Sequence, residues 1–244
     1  MVRIPILHAG LHEPFPPVET AFDKPNGLLA AGGDLAPERL LDAYRHGIFP
    51  WFSEGEPILW WSPDPRMVFA TANIHISTRM RRWLRRCDWT IRADTMFAEV
   101  MRACAAPRAT QRGTWITRGM LDAYETLHER GNAHSIEAFD ADDRLVGGIY
   151  GVAIGRMFFG ESMFSNATNG SKVALFALCR VLHGWDFPLL DAQVASPHLE
   201  RLGAMEMRRS QFVAQVADCC GRPPPDLTSW RREWPLPRAA DLAV

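Results

Sequence analysis

Apolar residues recur along this chain in two rhythms, one near every third or fourth position and one at alternate positions, and these divide it into segments. Between residues 118 and 130, Met120, Leu121, Tyr124 and Leu127 form a helical stripe, with Thr117 placed to cap it and Gly131 to stop it. Residues 35–46 predict a second helix, with Asp34 as cap, Pro37 in the first turn and Gly47 after the end. Residues 73–87 predict a basic amphipathic helix, in which Met80 and Leu84 share one face and Arg79, Arg82 and Arg86 another. Segments 134–139, 144–152 and 156–161, parted by Asp140–Asp143 and Gly155, predict an antiparallel meander. Ser171 to His183 is apolar all round, which predicts a largely buried helix. A strand at 189–194, a short helix near 197–202, a strand near 204–208 and a helix near 210–219 follow. Residues 12–70 otherwise read as turns and short strands, and the repeated Pro, Arg and Trp after 222 predict an extended tail.

Helix, meander, buried helix, strand, helix and strand together describe an α+β chain with helices on the faces of a sheet. That order matches the acyltransferase fold of the GNAT type. The expected organisation is a small N-terminal α/β domain over 1–70 and a basic helix at the domain seam over 71–90. A GNAT-like catalytic domain with a mixed sheet flanked by helices follows over 91–221, and a Pro/Arg-rich tail over 222–244.

Composition narrows the class. With 244 residues the chain can bury a sizeable core without staples. Its five cysteines, Cys87, Cys104, Cys179, Cys219 and Cys220, lack paired Cys/His spacing, so neither a zinc site nor a disulfide framework is expected. The N-terminal residues lack a continuous apolar run and no stretch approaches the roughly 20 apolar residues of a membrane span, so a cytoplasmic protein is expected. The formal net charge of −1 argues against coating nucleic acid through overall charge. It hides the local cluster Arg79, Arg81, Arg82, Arg85 and Arg86.

Seven dense strings stand in order: GLLAAGGDL at 27–35, YRHGIFPWF at 44–52, ILWWSPDPR at 58–66, GTWITRGM at 113–120, GGIYGV at 147–152, FGESMFS at 159–165 and LLDAQV at 189–194. Through them the chain resembles the bacterial leucyl/phenylalanyl-tRNA–protein transferases. The resemblance implies an enzyme that moves Leu or Phe, with Met also admitted, from aminoacyl-tRNA to the α-amino group of proteins beginning with Arg or Lys. The product would be marked for N-degron degradation. It implies no cofactor, aminoacyl-tRNA being a co-substrate; a monomer is expected.

Roles follow for particular residues. Asp191 and Gln193, two apart at the end of an apolar strand, are expected to project into one cavity. The ester of aminoacyl-tRNA is already activated, so the enzyme has only to align the amine, keep it unprotonated and stabilise developing charge. Asp191 would orient or deprotonate that amine, with both readings open, while Gln193 positions the reacting groups. Glu161 would add negative charge for a cationic acceptor. By the resemblance, Trp51, Ile149, Met163, Ser165, Leu175, Leu178 and Leu182 wall the donor pocket, although the three leucines also fit plain core. Tyr44, Trp51, Trp115 and Tyr124 are stacking platforms for the 3′-adenosine, Trp115 foremost. Arg79, Arg81, Arg82, Arg85 and Arg86 would meet acceptor-stem phosphates.

Two rivals remain at this stage. A CoA-dependent N-acyltransferase would need a pyrophosphate loop, and SNATNGSK, entering the buried helix, lacks that signature. A non-catalytic RNA-binding module would use the Arg helix and tryptophans alone.

Overall fold

A computed structural model describes residues 3–11, 13–106 and 116–243. In chain order it runs β1 (Ile6–Leu7), β2 (Leu28–Gly32), α1 (Pro37–Arg45), β3 (Phe49–Pro50), β4 (Leu59–Trp61), β5 (Arg66–Ala70), α2 (Thr78–Leu84), β6 (Thr90–Ala93), α3 (Phe97–Ala105) and α4 (Arg118–Glu129). It continues with β7 (Ala133–Phe139), β8 (Leu145–Ile154), β9 (Met157–Ser165), α5 (Gly170–Gly184), β10 (Leu189–Gln193), α6 (Pro197–Glu200), β11 (Met205–Met207), α7 (Arg209–Gly221) and α8 (Trp230–Glu233).

The strands form two sheets. A small one has the order β1-β2-β4-β3, and a seven-stranded one the order β11-β5-β10-β9-β8-β7-β6. In the large sheet β7, β8 and β9 pair antiparallel as a meander, whereas β9 and β10 pair parallel. Two strands run parallel only if the chain crosses back between them, and α5 is that crossover. The sheet is therefore mixed and flanked by helices, as expected. The strand 66–70, placed with the N-terminal segment on sequence grounds, lies inside this large sheet between β11 and β10.

Alternate residues of the central strands feed opposite layers. Tyr150, Val152 and Phe159 pack with α1, α3, α4 and α7 on one face. Ile149, Phe158 and Leu190 pack with α2 and α5 on the other. Helix α5 buries nine apolar side chains from Val173 to Leu182, as its all-round apolarity requires. It can seat so closely because two glycines meet: a Cβ on Gly147 of β8 would lie 2.2 Å from the carbonyl carbon of Gly170.

Local details differ from the sequence reading for identifiable reasons. Asp34 does not cap α1, whose first flanking residue is Ala36; instead its Oδ1 accepts from the Ala36 N–H at 3.1 Å one turn earlier. The basic helix is seven residues long, because Ser77 accepts from the Met80 N–H and starts it there, after a 3₁₀ turn at Thr71–Asn73. The segment after 222 is not simply extended. Trp230 is buried and stacks on His134 at 4.0 Å, and Ala239, Leu242 and Ala243 join the α5 layer, so apolar residues among the prolines fold it back.

Candidate active site

The parallel ladder between β9 and β10 ends at the pair Asp191 and Phe159. Beyond it the two strands have no further mutual bonds, and a cavity of about 1020 Å³ is lined by Gly160–Met163 of β9 and by residues 190–196 running off β10. Phe49, Phe69, Ile116, Ile149, Met163, Leu175 and Leu190 give it apolar walls, Glu161 and Gln193 supply polar groups, and the exposed side chains of Trp51, Glu54 and Arg118 also line it.

Asp191 is wholly buried and bound on both carboxylate oxygens by Arg66 of β5, Nε to Oδ1 at 2.8 Å and Nη2 to Oδ2 at 2.7 Å. The guanidinium also donates to the Gly47 carbonyl at 3.0 Å and lies 4.6 Å from the ring centres of both Phe49 and Phe212. An Arg held this way satisfies a buried carboxylate at fixed geometry. The register against β5 slips between Asp191 and Gln193, and Gln193 takes a left-handed backbone with φ of 61°. That bulge lets its N–H donate to Asp191 Oδ1 at 2.9 Å while its side-chain amide donates to Glu161 Oε1 at 2.8 Å. The two residues thus share one network, but through a bulge and not through simple strand alternation.

Glu161 is buried, with the Tyr44 hydroxyl 2.7 Å from Oε1, the Tyr124 hydroxyl 3.1 Å from Oε2, and the two phenols hydrogen-bonded to each other. Burial pushes its carboxyl up to about 7, against the hydrogen bonds of the tyrosines that pull it down. Both phenols are raised well above their ordinary value, first by burial and then by the neighbouring carboxylate.

Trp51, Ile149, Met163 and Leu175 line the cavity, together with Asp191, Gln193 and Glu161. Leu178 and Leu182 do not; both face the interior of the α5 layer with no exposed surface, so they are core. Ser165 is not a wall either. It lies past the cavity, where its Oγ accepts from the Ser171 N–H at 2.8 Å. Tyr44 and Tyr124 are buried on every side, which removes them as platforms for a base. Trp115 falls outside the described residues. Arg79, Arg82, Arg85 and Arg86 are exposed on and just after α2, Arg81 is half-buried against the Ile76 carbonyl, and none of the five lines the cavity.

Arg66, Phe69 and Arg118 were missed by the sequence reading. The signal for Arg66 was present, since an Arg opening an apolar strand needs a buried acceptor. At the start of α5, where a CoA pyrophosphate would sit, the Ser171 N–H is occupied by the Ser165 hydroxyl and Gly170 is pressed against β8. Among the described residues no group of three or more His, Cys, Asp or Glu side chains could hold a metal ion. No helix among them is long and apolar enough to cross a membrane.

Known proteins carry the same sequence pattern. The family model described as leucyl/phenylalanyl-tRNA protein transferase matches residues 68–217, and the model of that family's N-terminal domain matches residues 33–64. The leucyl/phenylalanyl-tRNA–protein transferase of Xanthomonas campestris pv. campestris (strain 8004) is 61% identical over 231 residues, 94% of this chain and 92% of its own. That of Xylella fastidiosa (strain M23) is 62% identical over 204 residues, 83% of this chain and 84% of its own. Among solved structures, L-PGS from Bacillus licheniformis aligns at a TM-score of 0.37 and 11% identity, covering 69% of this chain and 53% of that one. The C-terminal domain of a putative lysylphosphatidylglycerol synthetase from Agrobacterium fabrum aligns at 0.38 and 13%, covering 88% and 70%; both likenesses are too slight to bear on function. With a family model spanning more than half its length and relatives matched nearly end to end, this chain belongs to the leucyl/phenylalanyl-tRNA–protein transferase family.

Proposed function

We propose that this aminoacyltransferase moves Leu or Phe, with Met also admitted, from aminoacyl-tRNA to the α-amino group of proteins that begin with Arg or Lys. It would act as a cytoplasmic monomer, with no cofactor, and the new N-terminal residue would mark the product for N-degron degradation. The observation that supports this most is an apolar-walled cavity into which a hydrogen-bonded carboxyl and amide, Glu161 and Gln193, are set together. Such a site suits an apolar side chain that is not branched at Cβ, or an aromatic one, beside a reacting ester, which is already activated and needs no covalent nucleophile.

In the reaction the amine nitrogen attacks the ester carbonyl, the new C–N bond forms, and the bond to the ribose 3′-oxygen breaks. The amine gives up a proton and the ribose oxygen gains one. Gln193, fixed from two sides, is placed to orient the reacting groups. Asp191 has both oxygens engaged by Arg66, so in this reading it acts by positioning Gln193 and does not itself take the proton. Trp51 offers the exposed aromatic surface against which the terminal adenosine stacks, and the Arg79–Arg86 segment attracts the acceptor stem. Glu54 supplies negative charge for a cationic acceptor residue.

The deciding assay mixes the protein with labelled Leu-tRNA and a protein bearing N-terminal Arg. Label in the acceptor is the expected result; none, with folded protein and intact Leu-tRNA, rejects the proposal. Stabilisation by acetyl-CoA but not by an aminoacyl-adenosine analogue would favour CoA-dependent acylation instead.

A further inference from the structure

Tyr44, Tyr124 and Glu161 make a closed ring of three oxygen-to-oxygen contacts: Tyr44 to Oε1, Tyr124 to Oε2, and phenol to phenol. Each contact requires one hydrogen between its two oxygens. The phenols bring one hydrogen apiece, so an ionised Glu161 leaves two hydrogens for three contacts, and one pair of oxygens would meet lone pair to lone pair. A proton on the carboxyl supplies the third. Oε2–H then donates to Tyr124, Tyr124 to Tyr44, and Tyr44 to Oε1, which as a carbonyl-type oxygen also accepts the Gln193 amide at 2.8 Å. Every polar group in the ring is satisfied in that state, and all three side chains are buried, where an unmatched contact is most unfavourable.

We infer that Tyr44 and Tyr124 are positioning residues that hold Glu161 as an undissociated acid in the resting cavity. Glu161 therefore meets an incoming amine as a neutral hydrogen-bonding group and not as a fixed negative charge. This consequence for the amine rests on the transferase reading, whereas the resting protonation does not.

Two phenols donating to an ionised carboxylate would favour the charged form, but their contact with each other takes up one of those two hydrogens, and the remaining groups do not oppose the acid. Helix α1 presents Tyr44, α4 presents Tyr124, and Tyr150 from β8 interacts with Glu161 and Tyr124 without adding charge. Asp191 of β10 opposes ionisation of Glu161 and Arg66 of β5 favours it, but these two are paired with each other and largely cancel. Of the remaining charged side chains lining the cavity, Glu54 and Arg118 are solvent-exposed and opposite in sign. Burial is left as the dominant influence, and it acts in the direction the hydrogen count requires.

Infrared spectroscopy of protein labelled with ¹³C at the glutamate side-chain carboxyls tests this without any assay of transfer. In Glu161→Gln the amide can donate to Tyr124 and accept from Tyr44, so the ring closes and the variant folds. At about pH 6, the wild-type minus Glu161→Gln spectrum is expected to contain the carbonyl stretch of an undissociated acid; a carboxylate stretch alone overturns the inference. In Tyr124→Phe the acid loses its acceptor, so the band moves to higher wavenumber. A band that stays in place removes Tyr124 from the ring. Should Glu161→Gln not fold, the low-pH minus high-pH spectra of wild type and Tyr124→Phe still decide the matter, the acid band either shifting between them or not. A protein that shows the acid band yet moves no label from Leu-tRNA would refute the transferase reading and leave the ring intact.

Discussion

Arg66 and Asp191 form a bidentate pair, Nε to Oδ1 at 2.8 Å and Nη2 to Oδ2 at 2.7 Å, with neither side chain reaching solvent. The pair joins β5 to β10 at the point where β10 leaves the sheet, and the Gly47 carbonyl ties the same guanidinium to the turn before β3. Taking both charges out of water is unfavourable, and only mutual saturation offsets it. Asp191 is therefore a structural anchor for the Gln193 bulge before it is anything else.

Removing one partner should accordingly be worse than removing both. Arg66→Met leaves a buried carboxylate without its cation and is expected to destabilise the protein by roughly 3–5 kcal/mol. Arg66→Met with Asp191→Leu should recover a substantial part of that loss. Urea denaturation of the two single variants and the double variant gives the coupling directly. Additive losses would show that the pair contributes no mutual stabilisation.

The two buried glutamates give the protein a distinctive pH dependence. Burial raises both Glu161 and Glu137 to about 7 from an ordinary 4.5, so between these values the folded protein holds protons that the unfolded chain releases. Stability from these groups is complete below about pH 4.5 and is lost as pH rises through about 7, by an amount on the order of a few kcal/mol for the two together. An amide can replace either carboxyl. Glu161→Gln finds hydroxyl neighbours able to accept, and its melting temperature should gain on wild type as pH rises from about 5 to 8. At Glu137, Oε2 accepts from the N–H and the hydroxyl of Thr95 while Oε1 meets the Ser135 hydroxyl, so an amide fits with its oxygen toward Thr95 and its nitrogen donating to Ser135. Glu137→Gln should gain on wild type over the same range. Parallel melting curves for Glu161→Gln and wild type would contradict the linkage.

How far this was legible in the sequence depends on range. The meander, α4 with its Thr117 cap and the buried α5 follow from local periodicity and capping chemistry, and the structure reproduces them to within a few residues. The wall residues Ile149, Met163 and Leu175 and the cluster of Asp191, Gln193 and Glu161 were likewise reachable through the motif strings. What was not legible is pairing across long separations. Arg66 finds Asp191 across 125 positions, and Tyr44 finds Glu161 across 117, and no periodicity encodes either. The same blindness made Tyr44 and Tyr124 look like stacking platforms, since exposure of an aromatic in a motif depends on what the rest of the chain lays over it. Leu178 and Leu182 share their helical stripe with Leu175, and only the position of the cavity separates wall from core.

Trp51 offers a cleaner separation of binding from folding. Trp51 is 44% exposed on the cavity rim; its ring makes one tilted contact with Trp61 at 5.7 Å, and its hydrogen bond to the fold, a carbonyl accepting from the Trp61 indole at 2.7 Å, belongs to the backbone. Trp51→Ala should leave the melting temperature close to wild type while weakening aminoacyl-tRNA binding by about 1–3 kcal/mol, the range for loss of one base stack. The loss should fall on KM for aminoacyl-tRNA and spare KM for the acceptor protein, with Trp51→Phe in between. Equal increases in both constants would mean that the ring shapes the cavity and does not hold a base.

The exposed arginines on and after α2 should act through charge alone. Met80 and Leu84 anchor the helix on its buried face, so changing Arg79, Arg82, Arg85 or Arg86 leaves packing intact and should alter stability by no more than about 0.5 kcal/mol. If these residues neutralise phosphates, each substitution by Gln weakens tRNA binding and lowers the slope of log K against log salt by about one. Because none of the four lines the cavity, the chemical step with saturating aminoacyl-tRNA should be unchanged. The measurement is a salt titration of tRNA affinity for single and quadruple Gln variants. A quadruple variant with the wild-type slope would place the acceptor stem on another face, and one with a reduced slope but slower single-turnover transfer would show that these charges also align the bound substrate.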